Sequence, residues 1–117
     1  MSSPQFGRIV QVEVLDPQGR NPKVRPAVII TPDEAISPDG EVDVVAITIQ
    51  LDQAPEDDQV KLRYDPPGVG RTQLRQECAD VCTWRVRVRI ADIRGFLGVV
   101  PGRQMLALNA KIAERGS

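Results

Sequence analysis

Apolar and polar residues alternate with a period near two along most of this chain, and only the C-terminal stretch changes to helical spacing. Residues 7–15 carry Ile9, Val10, Val12 and Val14 and predict a strand. Turn chemistry follows in Asp16-Pro17-Gln18-Gly19-Arg20-Asn21-Pro22. Residues 25–31 read as a second strand. Thr31-Pro32-Asp33-Glu34-Ala35 predicts a capped helical turn, with Thr31 as N-cap and Pro32 at the first helical position. Residues 42–51 form a central strand, with Val45, Ile47, Ile49 and Leu51 on the expected core face. Val44, Ala46, Thr48 and Gln50 take the other face.

A short strand is expected over 59–64, and a long turn over 65–70. Residues 77–82 and 85–90 read as two strands or one long bent strand. Arg85-Val86-Arg87-Val88-Arg89-Ile90 is the cleanest alternation in the chain, with three arginines on one face and three aliphatics on the other. Residues 92–99 are short and Gly-rich. From Pro101 to Arg115, Met105, Leu106, Leu108, Ala110 and Ile112 give a helix with a broad apolar stripe, ended by Gly116. Lys111 and Arg115 suit the negative end of its dipole. The expected fold is mainly β, a small curled antiparallel sheet or barrel with a C-terminal helix packed on it, as one domain over 1–117.

Composition narrows the chemistry. Aromatics make up 3% of 117 residues, so Val, Ile, Leu and Ala must supply the core. No stretch approaches the roughly 18 apolar residues that a membrane span requires, and no signal peptide opens the sequence, so a cytoplasmic location is expected. There is no histidine, which removes serine–histidine triads and histidine acid/base pairs. With two cysteines left, a zinc site is not expected. Cys78 and Cys82 share a strand face at a spacing of roughly 13 Å, too far for a disulfide, and are expected to be buried thiols.

Charge is unevenly placed although the net is −1. Residues 31–60 hold nine acids and no Lys or Arg, whereas 61–103 hold nine Lys or Arg and four acids. A basic face able to meet phosphate is one reading, and two differently solvated sides is the other. The sharpest local feature is Arg25-Pro26 at the mouth of an apolar strand. Proline fixes its own φ and biases Arg25 to extended backbone, aiming a five-donor guanidinium out of the turn. Thr48 and Gln50 are polar positions in an equally apolar strand. Arg25 as a surface charge closing a loop, and the later arginines as edge-strand protection, are the plainer alternatives.

Taken together the segments resemble the MazF/PemK/Kid family of toxins from bacterial toxin–antitoxin pairs. The resemblance rests on Gly7-Arg8-Ile9-Val10, Arg25-Pro26-Ala27-Val28-Ile29-Ile30, Val45-Ala46-Ile47-Thr48, Val60-Lys61-Leu62, Thr72-Gln73-Leu74 and the helix from Pro101, in family order. It implies a plasmid-maintenance-toxin barrel related to the SH3 type, a homodimer, and an endoribonuclease needing neither metal nor other cofactor. Such an enzyme cleaves single-stranded RNA (mRNA) by attack of the 2′-OH, and a cognate antitoxin protein restrains it. By motif, Arg25 and Thr48 fall on the catalytic pair. Arg20 and Lys23 in the first loop, Gln50, and the Arg85/Arg87 face are the expected RNA contacts. The chain departs from the family pattern in two places: the first loop lacks the usual Glu, and Thr83 follows Cys82 where an Asp is common. Asp80 and Glu77 are the carboxylates available as substitutes. A relative that binds RNA or a partner protein without cleaving, and an unrelated small-barrel interaction module, are the alternative readings.

Overall fold

Valine and isoleucine crowd at χ1 in a helix but stack well on a pleated surface, and here they build one antiparallel sheet. The computed structural model describes residues 4–16, 18–53, 55–68 and 70–114. Six strands are formed: β1 (Arg8–Val14), β2 (Lys23–Ile29), β3 (Glu41–Thr48), β4 (Gln59–Lys61), β5 (Ala79–Arg89) and β6 (Gly95–Val99). One helix, α1 (Gly102–Glu114), follows. The sheet order is β4-β5-β3-β2-β1-β6, and every pairing is antiparallel. The expected curled antiparallel sheet with a C-terminal helix is the fold observed.

Both faces of the sheet are buried. Ile9, Val28, Val45 and Ile47 point toward α1 and pack with Met105, Leu108 and Ile112. Val10, Val12, Val14, Ala27, Ile29, Val42, Val44 and Ala46 point the other way and pack with Trp84 and Val88. The second face of β3 is core as well, through Val44, Ala46 and the buried Thr48, and becomes exposed only at Gln50 beyond the strand end.

The chain between β4 and β5 joins the two ends of the sheet. Leu62 and Asp65 donate N–H bonds to Cys78 and Leu74, extending the β4–β5 pairing, while Gly98 and Val99 of β6 donate to Thr72 and Arg71. A Cβ on Gly98 would lie 1.9 Å from the Arg71 carbonyl oxygen, so only glycine permits this approach.

Several expectations are corrected. β3 ends at Thr48; Ile49 is 55% exposed and Leu51 starts a 3₁₀ turn. The long arginine strand is a single strand broken by a bulge: Val81 to Trp84 oppose Ala46 alone, because Asp80 pairs with Ile47 and Arg85 with Val45. Residues 95–99 form a strand rather than a Gly-rich connection. The turn after β2 is 3₁₀, with Pro32 at its cap; the Thr31 hydroxyl accepts the Asp43 N–H at 2.8 Å instead of capping it. Leu106 is 74% exposed and leaves the apolar stripe to Met105, Leu108 and Ile112. Pro17, Val69, Arg115 and Gly116 lie outside the described residues.

Candidate functional site: an arginine on a tryptophan face

The β2–β3 register pairs Ala27 with Ala46, and two residues further along each strand come Arg25 and Thr48. Continued alternation puts both on the same face as those alanines, opposite α1. The bulge in β5 brings Trp84 to the same place. Arg25 lies with its guanidinium carbon 5.0 Å from the center of the Trp84 ring, a cation–π distance. Arg25 Nε is buried without a hydrogen-bond partner, and no carboxylate among the described residues pairs with the guanidinium. The half-buried guanidinium thus rests on a ring with no carboxylate partner among the described residues, which leaves its donors available to an incoming anion.

Thr48 is 4% exposed, and its hydroxyl oxygen accepts the Gln50 N–H at 3.0 Å. That bond orients the oxygen and leaves the hydroxyl proton to donate. Gln50 itself is exposed at the rim. Trp84 also donates its indole N–H to the Leu15 carbonyl at 2.9 Å, tying the β1–β2 loop to the same ring. Within that loop Asp16 accepts the N–H groups of Gln18 and Arg20 and the amide of Asn21. These bonds, the Arg20 N–H foremost, hold the Asp16 carboxyl below its ordinary range. Arg20 and Lys23 are exposed on this loop and strand end, and Lys23 has the parity of Arg25.

The other expected RNA contacts lie apart. Arg85 and Arg87 oppose Val45 and Asp43, so they sit on the α1 side of the sheet, toward the opposite end of β3. Arg87 reaches Asp43 at 3.3 Å and Glu41 at 3.9 Å. Both arginines line a cavity of about 500 Å³ with Thr31, Asn109 and Ile112. The register also decides the substitute carboxylates. Asp80 is opposite Ile47, hence on the α1 side, fully buried, with neither oxygen hydrogen-bonded. Burial pushes its carboxyl well above the usual range. Glu77 is exposed, before β5 begins.

Cys78 and Cys82 are buried free thiols of the α1-side core, as expected. Burial, then the nearby Asp80 and Glu77, pushes the Cys78 thiol up to about 11. Among the described residues no group of three or more Cys, Asp or Glu is placed to hold a metal ion. No helix there is long and apolar enough to cross a membrane. Sequence reasoning missed Trp84; its signal was that the chain has one tryptophan, placed directly before the arginine alternation.

No family model matches the chain, and no curated protein sequence does. Solved structures do match. A crystal structure of MazF from Deinococcus radiodurans superposes with a TM-score of 0.75 over 100% of this chain and 100% of that one, at 15% identity. An endoribonuclease from Mycobacterial species gives 0.70 over 97% and 91%, also at 15% identity. The Mycobacterium tuberculosis toxin MazF-mt6 gives 0.63 over 92% and 94%, at 21% identity. The chain has the MazF fold.

Proposed function

We propose that this chain is a MazF-family toxin of a toxin–antitoxin pair, acting as a homodimeric, metal-independent endoribonuclease on single-stranded RNA. The observation that carries this reading is the Arg25 guanidinium, which lies over the Trp84 ring and has no ion-pair partner among the described residues, two positions beyond the Ala27–Ala46 pair just as Thr48 is on β3. Shared fold with MazF toxins, including MazE–MazF complexes and an endoribonuclease in complex with its cognate antitoxin, supports it and supports an antitoxin partner.

The chemistry suits the groups present. Attack of a ribose 2′-OH on the adjacent phosphorus forms the new P–O bond, expels the 5′-oxygen of the next nucleotide and leaves a 2′,3′-cyclic phosphate. Negative charge grows on the non-bridging oxygens. A guanidinium already positioned on a ring can stabilise that charge with little reorganisation, an effect on the order of one oxyanion-hole donor. Thr48 donates its hydroxyl proton to the same phosphate. Arg20, Lys23 and Gln50 hold neighboring nucleotides at the rim of the site, and Arg85 and Arg87 stand outside this set.

One observation favors a second reading. The register takes Asp80 to the opposite face, so the 2′-OH has no carboxylate from that strand to remove its proton. A chain that binds RNA through Arg25 without cutting it would look the same. Incubating the purified chain with single-stranded RNA and EDTA distinguishes the two. Cyclic-phosphate ends that disappear in Arg25→Ala support cleavage; binding without cleavage supports the second reading.

A further inference from the structure

A second cluster of cations lies away from the Arg25 site, in the segment that joins the two ends of the sheet. Arg63, Tyr64, Asp65, Arg71 and Thr72 line a cavity of about 600 Å³ with Arg103 and Gln104 from the first turn of α1. Three arginines and one aspartate line it, and none of the three arginines forms an ion pair among the described residues. Tyr64 is 47% exposed, so part of its ring is open to contact from outside. The volume falls within the range of small-ligand sites.

The walls are fixed by buried contacts. Thr72 is 2% exposed and donates its hydroxyl to the Arg63 carbonyl at 2.8 Å, while accepting the Leu74 N–H. Arg71 is held by the Val99 N–H on its carbonyl, at the close approach that Gly98 permits. Gln104 ties the helix wall to β4 by donating to the Lys61 carbonyl at 3.1 Å. The arginines are thus carried on a set backbone, which lowers the cost of ordering them around an anion.

The geometry points to this cavity as a second binding site, for a nucleoside monophosphate unit. The phosphate takes the three guanidinium groups, the base stacks on Tyr64, and Asp65 accepts hydrogen bonds from ribose hydroxyls. Guanidinium forks match phosphate oxygens, and an exposed ring accepts any base face. The α1 amino end adds to the positive field. Such a unit has two sources, a free nucleotide or one residue of an RNA strand. The assignment does not depend on cleavage at Arg25.

Tyr64 is the one tyrosine in the chain, so its labeled ring gives a single NMR signal that reports the cavity alone. The full-length chain is titrated with adenosine 5′-monophosphate, adenosine, inorganic phosphate and a 5′-phosphorylated single-stranded RNA. The ring signal is expected to shift saturably with the monophosphate, with Kd on the order of 1 mM or tighter, and much less with adenosine. Arg63→Gln, Arg71→Gln and Arg103→Gln, all exposed positions, should each weaken binding about tenfold. Inorganic phosphate should compete. Displacement of the monophosphate by RNA marks a strand residue as the occupant and absence of displacement marks a free nucleotide; both support the site. A ring signal indifferent to the monophosphate, or binding unchanged in all three arginine variants, overturns it. Arg25→Ala should leave the titration unaltered; loss of binding there assigns the nucleotide to the other site and also overturns the inference.

Discussion

Trp84 holds two things at once: its ring supports the Arg25 guanidinium at 5.0 Å, and its indole N–H binds the Leu15 carbonyl at 2.9 Å. A single side chain from the β5 bulge thereby fixes both the candidate cation and the loop beside it. The two roles separate by mutation. Trp84→Phe keeps an aromatic face but strands the Leu15 carbonyl, and should lower stability by about 1 kcal/mol in urea unfolding. Trp84→Leu also removes the face, and RNA cleavage should fall about tenfold relative to Trp84→Phe.

Asp80 sets a pH dependence. The unfolded chain releases this proton near pH 4, roughly the free aspartate value, while the buried folded carboxyl keeps it to much higher pH. Between those limits the folded state binds the extra proton, so stability falls as pH rises, by up to about 1.4 kcal/mol per pH unit. Denaturation midpoints measured upward from pH 4 should decline in the wild type and flatten in Asp80→Asn. An unchanged slope would show that Asp80 is ionized in the fold.

Gly98→Ala tests the joining segment. Its Cβ would collide with the Arg71 carbonyl at 1.9 Å, backbone that cannot rotate away. A loss of at least about 2 kcal/mol in thermal or urea unfolding is expected. The same variant should disturb the Tyr64 ring signal, since Arg71 lines that cavity.

Arg87 gives the contrasting case. Its partners Asp43 and Glu41 are at the surface, and pairs of that kind contribute little. Arg87→Ala should change stability by less than about 1 kcal/mol and leave RNA cleavage near wild type, because the side chain is on the α1 side. A large loss of RNA affinity would bring that face back into the binding surface.

RNA affinity should weaken with salt. If Arg20, Lys23 and Arg25 each neutralise one phosphate, log K falls against log salt with a slope of about −2 for a single strand. Lys23→Ala should reduce the slope by about 0.7, as fluorescence anisotropy at several salt concentrations would reveal.

The legible part of this protein was local. Alternation of Ile9, Val10, Val12 and Val14, and of the arginines with Val86 and Val88, is a period of two that the backbone alone imposes. The helix from Gly102 announced itself in the same way, through Met105, Leu108 and Ile112. Arg25 stood out because proline after arginine constrains the chain whatever surrounds it. Register carries no such mark, since it depends on residues far apart in sequence. Three extra residues in β5 turned Trp84 under Arg25, and the pairing with Ile47 sent Asp80 to the other face. The burial of both sheet faces, with Val45 and Ile47 on one side and Val44 and Ala46 on the other, depends on what packs over each face once the strands are assembled. Residue order determined which segments pleat or coil and which side chain is a permanent cation; tertiary pairing decided what that cation rests on, because opposite neighbors are chosen by long-range hydrogen bonds.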